Sequence, residues 1–119
     1  ANVLSLHVPL TPETRHLIDA SAIARMPKGA ILINCSRGGL IDEDALAASL
    51  ASGHLSGAGL DVFETEPLPA GSPLRNACHV IISPHAAFYS DASVDALQRL
   101  ASEEALRGLR GEPLRCALT

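Results

Sequence analysis

Residues 31–42 read Ile-Leu-Ile-Asn-Cys-Ser-Arg-Gly-Gly-Leu-Ile-Asp, an apolar run that stops at an arginine, two glycines and the acidic start of a helix. A short apolar run bounded by glycine reads as a buried strand. Arg37 at its end then sits at the carboxyl edge of an α/β sheet, where open parallel sheets bind ligands. The planar fork of its guanidinium suits a carboxylate, gripped by two parallel hydrogen bonds. An arginine after a strand is also often a plain surface ion pair, so its meaning depends on where the other strands end.

Outward from this stretch, strand-like and helix-like segments alternate. Val3 to His7 is a buried-strand candidate ended by Pro9 and Thr11-Pro12, and Ser21 or Asp19 caps a short helix through Met26 that Pro27-Lys28-Gly29 breaks. Ala30 to Asn34 is the second strand. Asp42 caps a helix with Glu43 and Asp44 in its first turn, Leu46 and Leu50 on one face and Gly53 at its end. Leu55 to Val62 is the third strand, thinned by Gly57 and Gly59, where a backbone or ligand comes close. A Pro- and Gly-containing loop, Glu66 to Pro73, leads to a fourth strand, Val80 to Ser83, ended by Pro84. Asp91 to Leu109 is the longest helix, with Val94, Leu97, Ala101, Ala105 and Leu109 along one stripe and Gly111 as its stop. The order β-α-β-α-β-loop-β-α predicts an α/β fold with a mainly parallel sheet and helices on its faces.

The bulk composition narrows the function. The chain has 119 residues, 47% of them hydrophobic, which suffices for one compact domain. Net charge is −4 and the basic residues are scattered, so no electrostatic footprint for nucleic acid is visible. Aromatics are 3%, carried by Phe63, Phe88 and Tyr89, so the core rests on Ala, Leu, Val and Ile, as in helix-covered parallel sheets. Cys35, Cys78 and Cys116 are odd in number and lack metal-ligand spacing, which argues against a disulfide framework and a zinc site and fits a reducing cytoplasm. No apolar run approaches the roughly 20 residues of a membrane helix, and no signal-peptide pattern opens the chain.

Three strand ends carry polar groups on the edge that a parallel sheet shares: Arg37 after the second, Asp61 and Glu66 after the third, His85 after the fourth. An arginine to hold a carboxylate, a histidine to exchange a proton and a carboxylate to orient it would serve oxidation of a 2-hydroxy acid or reduction of a 2-oxo acid. Taken singly, Glu66 reads as an exposed loop acid and His85 as a turn histidine; only their convergence raises the case. His7 ends a strand and reads as structural, and His16, His54 and His79 read as surface or turn residues. Cys35 shares the edge with Arg37 but has no local histidine to activate it. Gly57-Ala-Gly59 mimics the start of a dinucleotide fingerprint, yet Val62 stands where its third glycine belongs and no helix follows.

The runs SLHVPLTPETRHLI (5–18), GAILINCSRGGLIDEDAL (29–46), GAGLDVFETEP (57–67) and SPHAAFYS (83–90) resemble the NAD-binding domain of the D-isomer-specific 2-hydroxyacid dehydrogenases, in the right order and over essentially the whole chain. The resemblance implies the second half of a Rossmann-type doubly wound parallel sheet with a long C-terminal helix. Residues 1–110 would be the C-terminal part of the NAD(P)-binding domain, and residues 111–119 a tail returning toward a substrate domain. It implies a catalytic set of Arg37, Glu66 and His85: Arg37 on the substrate carboxylate and carbonyl oxygen, His85 as general acid/base, Glu66 keeping His85 protonated. Cofactor contacts would fall on the loop Val8 to Thr14, including Val8, Pro9 and Thr14, on Cys35, Ser36 and Arg37, on Asp61, and on His85, Ala86, Ala87 and Phe88. Cys35 stands where the family usually has threonine or another small residue. The implied cofactor is NAD, with NADP left open, and no metal is implied.

The stretch PHAAFYSDAS is most similar to the branch of C-terminal-binding-protein corepressors and bacterial dehydrogenases. Phe88, where the animal corepressors usually carry tryptophan, favours the bacterial side. The family's glycine-rich turn and ribose-reading acid have no counterpart in these 119 residues and are expected upstream. Three readings follow: a hydride-transferring oxidoreductase for small 2-hydroxy or 2-oxo acids, cytoplasmic and homodimeric at full length; an NAD-sensing interaction module of the corepressor type; or an inactive fragment whose open sheet edge invites pairing with another chain.

Overall fold

The computed structural model describes residues 1–115 and 117; Cys116 and the end of the expected tail lie outside the described residues. The chain separates into two compact units, Ala1–Ala87 and Phe88–Thr119.

The first unit is built on four strands, β1 (Val3–Leu6), β2 (Ala30–Asn34), β3 (Leu55–Leu60) and β4 (Val80–Ile82), ordered β1-β2-β3-β4. Every neighbouring pair is parallel, so all four carboxyl ends share one edge of the sheet. Two helices connect the first three strands: α1 (Ala20–Ala24) and α2 (Glu43–Ala51). Asp19 and Asp42 are their N-caps, each accepting a backbone N–H of the first turn, from Ala22 at 2.7 Å and from Ala45 at 3.0 Å. Gly53 follows α2 with φ +69°, a left-handed conformation that glycine adopts without strain.

The register explains the core. Leu4, Leu32, Ala58 and Val80 align in one row and Leu6, Asn34, Leu60 and Ile82 in another on the same face. Leu32, Ala58, Leu6 and Leu60 from these rows are buried with Ile23 of α1 and Leu46 and Leu50 of α2 in one apolar cluster. The alternate positions include Val3, Ile31 and Ile81, which are 53%, 38% and 77% exposed, so within this unit the helices lie over one face. The pairing shifts between Ala30 and Ile31, which leaves Ser56 as the extra residue; its hydroxyl donates to the Gly29 carbonyl at 2.6 Å. Gly57 is needed for a close approach, because a Cβ there would stand 3.0 Å from the His79 carbonyl oxygen.

The second unit holds α3 (Asp91–Arg110). Ser90 caps it in a reciprocal arrangement with Ser93, and Gly111 ends it at φ +68°. No residue of α3 is buried, and along the expected stripe Leu97 is 61% and Leu109 87% exposed.

Beyond β2 the chain makes a short 3-10 turn, Gly38–Leu40, that interlocks the first unit's loops. A Cβ on Gly38 would fall 1.9 Å from the backbone carbonyl carbon of Phe63, so the loop after β2 rests directly on the loop after β3. At Gly39 the nearest atoms are the ends of the Leu10 and Arg15 side chains, at 3.0 and 3.3 Å, which can move. Gly38→Ala should therefore cost about 1–3 kcal/mol or more through overpacking against backbone, and Gly39→Ala distinctly less. Urea unfolding of the two variants checks this, and an equal or larger loss for Gly39→Ala would contradict the interlock.

Candidate active site

Arg37 is placed by a polar turn at the carboxyl end of β2. Asn34, fully buried, donates from Nδ2 to the Arg37 carbonyl at 2.9 Å and accepts the Ser36 N–H on Oδ1 at 3.0 Å. Its side chain thus satisfies the turn that replaces the strand ladder. The Ser36 hydroxyl donates to the Val8 carbonyl at 2.8 Å and joins this turn to the loop after β1. In that loop the Thr14 hydroxyl donates to the Pro9 carbonyl at 2.8 Å. Arg37 itself is exposed, with one guanidinium nitrogen donating to the Ser36 carbonyl at 2.7 Å. Val8, Pro9, Ser36 and Arg37 line a depression of about 540 Å³ at the ends of β1 and β2.

The ends of β3 and β4 are joined by a buried carboxylate. Asp61, 2% exposed, accepts the Ser83 hydroxyl at 2.6 Å and the Ala86 N–H at 2.8 Å on Oδ1, and the Ala87 N–H at 2.8 Å on Oδ2. Burial opposes its charge, but the bonds from Ser83, Ala87 and Ala86, with His85 nearby, outweigh burial and hold its carboxyl below the usual aspartate range. The turn so anchored carries His85 at φ +55°.

His85 Nδ1 lies 2.8 Å from Glu66 Oε2, and the other carboxylate oxygen of Glu66 accepts the Phe63 N–H at 3.0 Å. A carboxylate has no proton to give, so Nδ1 is the donor and Nε2 is the nitrogen left for a reacting atom. The hydrogen bond from His85, then the one from the Phe63 N–H, keeps the Glu66 carboxyl below its usual range against a smaller effect of burial. Glu66 and His85 line a cavity of about 680 Å³ together with Phe63, Leu68 and Arg75.

The structure thus brings Glu66 and His85 into contact and places Arg37 in a separate depression on the same sheet edge. Among the expected cofactor positions, Val8, Pro9, Ser36 and Arg37 line one depression, and Thr14 closes the loop beside it. Cys35 is exposed, the Ala86 and Ala87 amides are engaged by Asp61, and Phe88 begins the second unit, where its ring meets Tyr89 edge-on with centroids 6.0 Å apart. The roles of Asn34, Ser83 and Gly38 emerge only in the fold. A polar residue closing an apolar strand was the available signal for Asn34 and Ser83.

The sequence profile described as "D-isomer specific 2-hydroxyacid dehydrogenase, NAD binding domain" matches residues 1–87. The chain is 46% identical over 112 residues to D-3-phosphoglycerate dehydrogenase of Methanocaldococcus jannaschii, covering 94% of this chain and 21% of that protein. It is 49% identical over 109 residues to (S)-sulfolactate dehydrogenase of Chromohalobacter salexigens, covering 92% of this chain and 35% of that protein. It therefore spans between about a fifth and about a third of the length of these curated relatives. The crystal structure of a D-isomer-specific 2-hydroxyacid dehydrogenase from Xanthobacter autotrophicus Py2, solved with NADPH and MES, superposes with a TM-score of 0.86 at 41% identity over 100% of this chain and 48% of that one. A parallel α/β sheet with this polar edge, matched by profile, sequence and structure alike, places the chain in the D-isomer-specific 2-hydroxyacid dehydrogenase family, with residues 1–87 in its NAD-binding domain.

Proposed function

We propose that this chain supplies the proton-handling and carboxylate-binding groups of an NAD-dependent oxidoreductase acting on a small 2-hydroxy or 2-oxo acid. The contact that carries the reading is His85 Nδ1 to Glu66 Oε2 at 2.8 Å, which leaves Nε2 as the acid/base nitrogen. When the substrate is a 2-oxo acid, Nε2–H of protonated His85 donates its proton to the carbonyl oxygen; in the reverse direction neutral Nε2 accepts it from the hydroxyl. Glu66 holds the ring in orientation and stabilises its protonated form. Arg37 grips the substrate carboxylate, which fixes C2 for reaction.

The residues suit a nicotinamide cofactor: the depression of Val8, Pro9, Ser36 and Arg37 lies at the carboxyl ends of adjacent parallel strands, where such sheets receive nucleotides. NAD(H), when bound, supplies or accepts the hydride exchanged with substrate C2. Residues 1–110 are proposed as the C-terminal part of the nucleotide-binding domain. A homodimer in the cytoplasm belongs to the same proposal and rests on the family likeness alone.

NADH consumption with glyoxylate, hydroxypyruvate or pyruvate, by the protein that carries this chain, is the direct test. NADH binding with no turnover across this panel would contradict the oxidoreductase reading. Arg37→Lys removes the two-point grip; the loss of one charge-assisted hydrogen bond, about 1.5–3 kcal/mol, corresponds to roughly a 10- to 150-fold fall in kcat/KM. Near-normal kcat/KM in that variant would remove Arg37 from the substrate carboxylate.

Acid should break the pair in a defined direction. The Glu66 carboxyl is held below its ordinary value of 4.5, so its contribution is complete above that pH and disappears as pH falls through the lowered folded value. Wild-type stability should therefore drop more steeply below pH 4.5 than that of Glu66→Gln, as measured by urea unfolding at stepped pH. Parallel curves would show that the Glu66 carboxylate gains nothing from His85 and the Phe63 N–H in the folded chain.

A further inference from the structure

Glu64 lies two residues before Glu66 and touches neither His85 nor the cavity beside it. Its Oε1 accepts from His16 Nε2, and from Arg15 Nη2 at 3.3 Å. Its backbone N–H donates to Glu43 Oε1 at 2.7 Å, in the first turn of α2. One residue of the turn after β3 is thus tied both to the loop after β1 and to the start of α2. The residue before it is fixed as well: the Phe63 N–H donates to Glu66 Oε1 at 3.0 Å, and its carbonyl carbon is where a Gly38 Cβ would collide.

Stability alone does not account for this convergence. The side chains of Arg15 and Glu64 are 57% and 30% exposed, and exposed ion pairs contribute little. Yet His16 holds φ +50°, a left-handed backbone that costs a side-chain-bearing residue energy, and its N–H is pinned to the Gly39 carbonyl at 2.8 Å. That conformation directs the ring to Glu64. The charges around the turn make the need plain: Glu43 and Asp44 from α2 and Asp61 and Glu66 from the β3 loop are all acidic, against Arg15, His16 and His85. Burial, together with the negative charges of Glu64 and Asp44, pushes the Glu43 carboxyl up although it accepts the Glu64 N–H. Without Arg15 the turn would carry Glu64 and Glu66 beside Glu43 with no permanently positive side chain paired to it among the described residues.

We propose that His16, with Arg15, acts as a positioning clamp: by holding Glu64 it sets the 63–66 turn and so the place of Glu66 beside His85. The clamp rests on the reading of Glu66 and His85 as a proton-handling pair. His16 touches no reacting atom, so its effect must appear in the behaviour of His85.

The test reads which nitrogen of the neutral His85 ring carries the proton, from its nitrogen shifts at alkaline pH in the isotope-labelled protein that carries this chain, and needs no turnover. In the wild type the bond to Glu66 should hold the proton on Nδ1. Glu66→Ala sets the reference and should raise the share of the Nε2–H form. His16→Asn suits a left-handed backbone but is too short to reach Glu64; it and Glu64→Ala should raise that share by a smaller amount. His16→Gln, which keeps an N–H donor at longer reach, should restore most of the Nδ1–H form. Backbone amide spectra identify variants that remain folded, and urea midpoints separate lost stability from lost positioning. If both clamp variants read like wild type while Glu66→Ala does not, the clamp is refuted and the pair stands. If Glu66→Ala also leaves the Nδ1–H form unchanged, the pair falls and takes the clamp with it.

Discussion

The buried carboxylate of Asp61 is the constraint on which the rest of the site depends. At 2% exposure an uncompensated charge would be heavily penalised, and it persists because three donors from a single turn, Ser83, Ala86 and Ala87, converge on it. The same bonds satisfy two backbone amides that would otherwise lack partners once the β4 ladder has ended. Fixing both sides of residue 85 holds that residue in a left-handed conformation, so the backbone strain at His85 is offset by the anchoring of its neighbours. A parallel sheet makes this possible, since β3 and β4 deliver Asp61 and the 83–87 turn to the same edge.

Around that anchor the loops hold one another. Asn34 closes the Arg37 turn, Ser36 ties it to Val8, and Gly38 lets it rest on the Phe63 peptide, whose N–H supports Glu66. The arginine and the Glu66–His85 pair thus occupy two depressions whose loops meet at a close backbone contact. Groups carried on strand-end turns braced in this way can be held to the tolerances that catalysis requires.

The strands and their parallel pairing were legible because short apolar runs bounded by glycine and proline leave few alternatives, and alternation with capped helices favours parallel neighbours. Expected ends overran by one or two residues at Val62, Ser83 and His7, where side chains or loop packing take over from the ladder. Val62 is 2% exposed though outside β3, which is why it reads as strand. Gly57 marked a close backbone approach, as its neighbour His79 shows. The placement of Arg37, Glu66 and His85 after strand ends on one edge was legible, although the depth of the Asp61 network was not. Least legible was His16, read from sequence as a surface or turn histidine. Its partner Glu64 is 48 residues away, and pairing at that distance leaves no local pattern.

The most direct test of the account is the protonation site of the neutral His85 ring, read from its nitrogen shifts at a pH above its titration. A carboxylate bonded to Nδ1 requires the proton to stay on that nitrogen, leaving Nε2 as the acceptor, and a spectrum dominated by the Nδ1–H form is the predicted result. A spectrum dominated by the Nε2–H form would contradict it, because Nδ1 would then have no proton to donate to Glu66 and Nε2 would be no acceptor for a substrate proton.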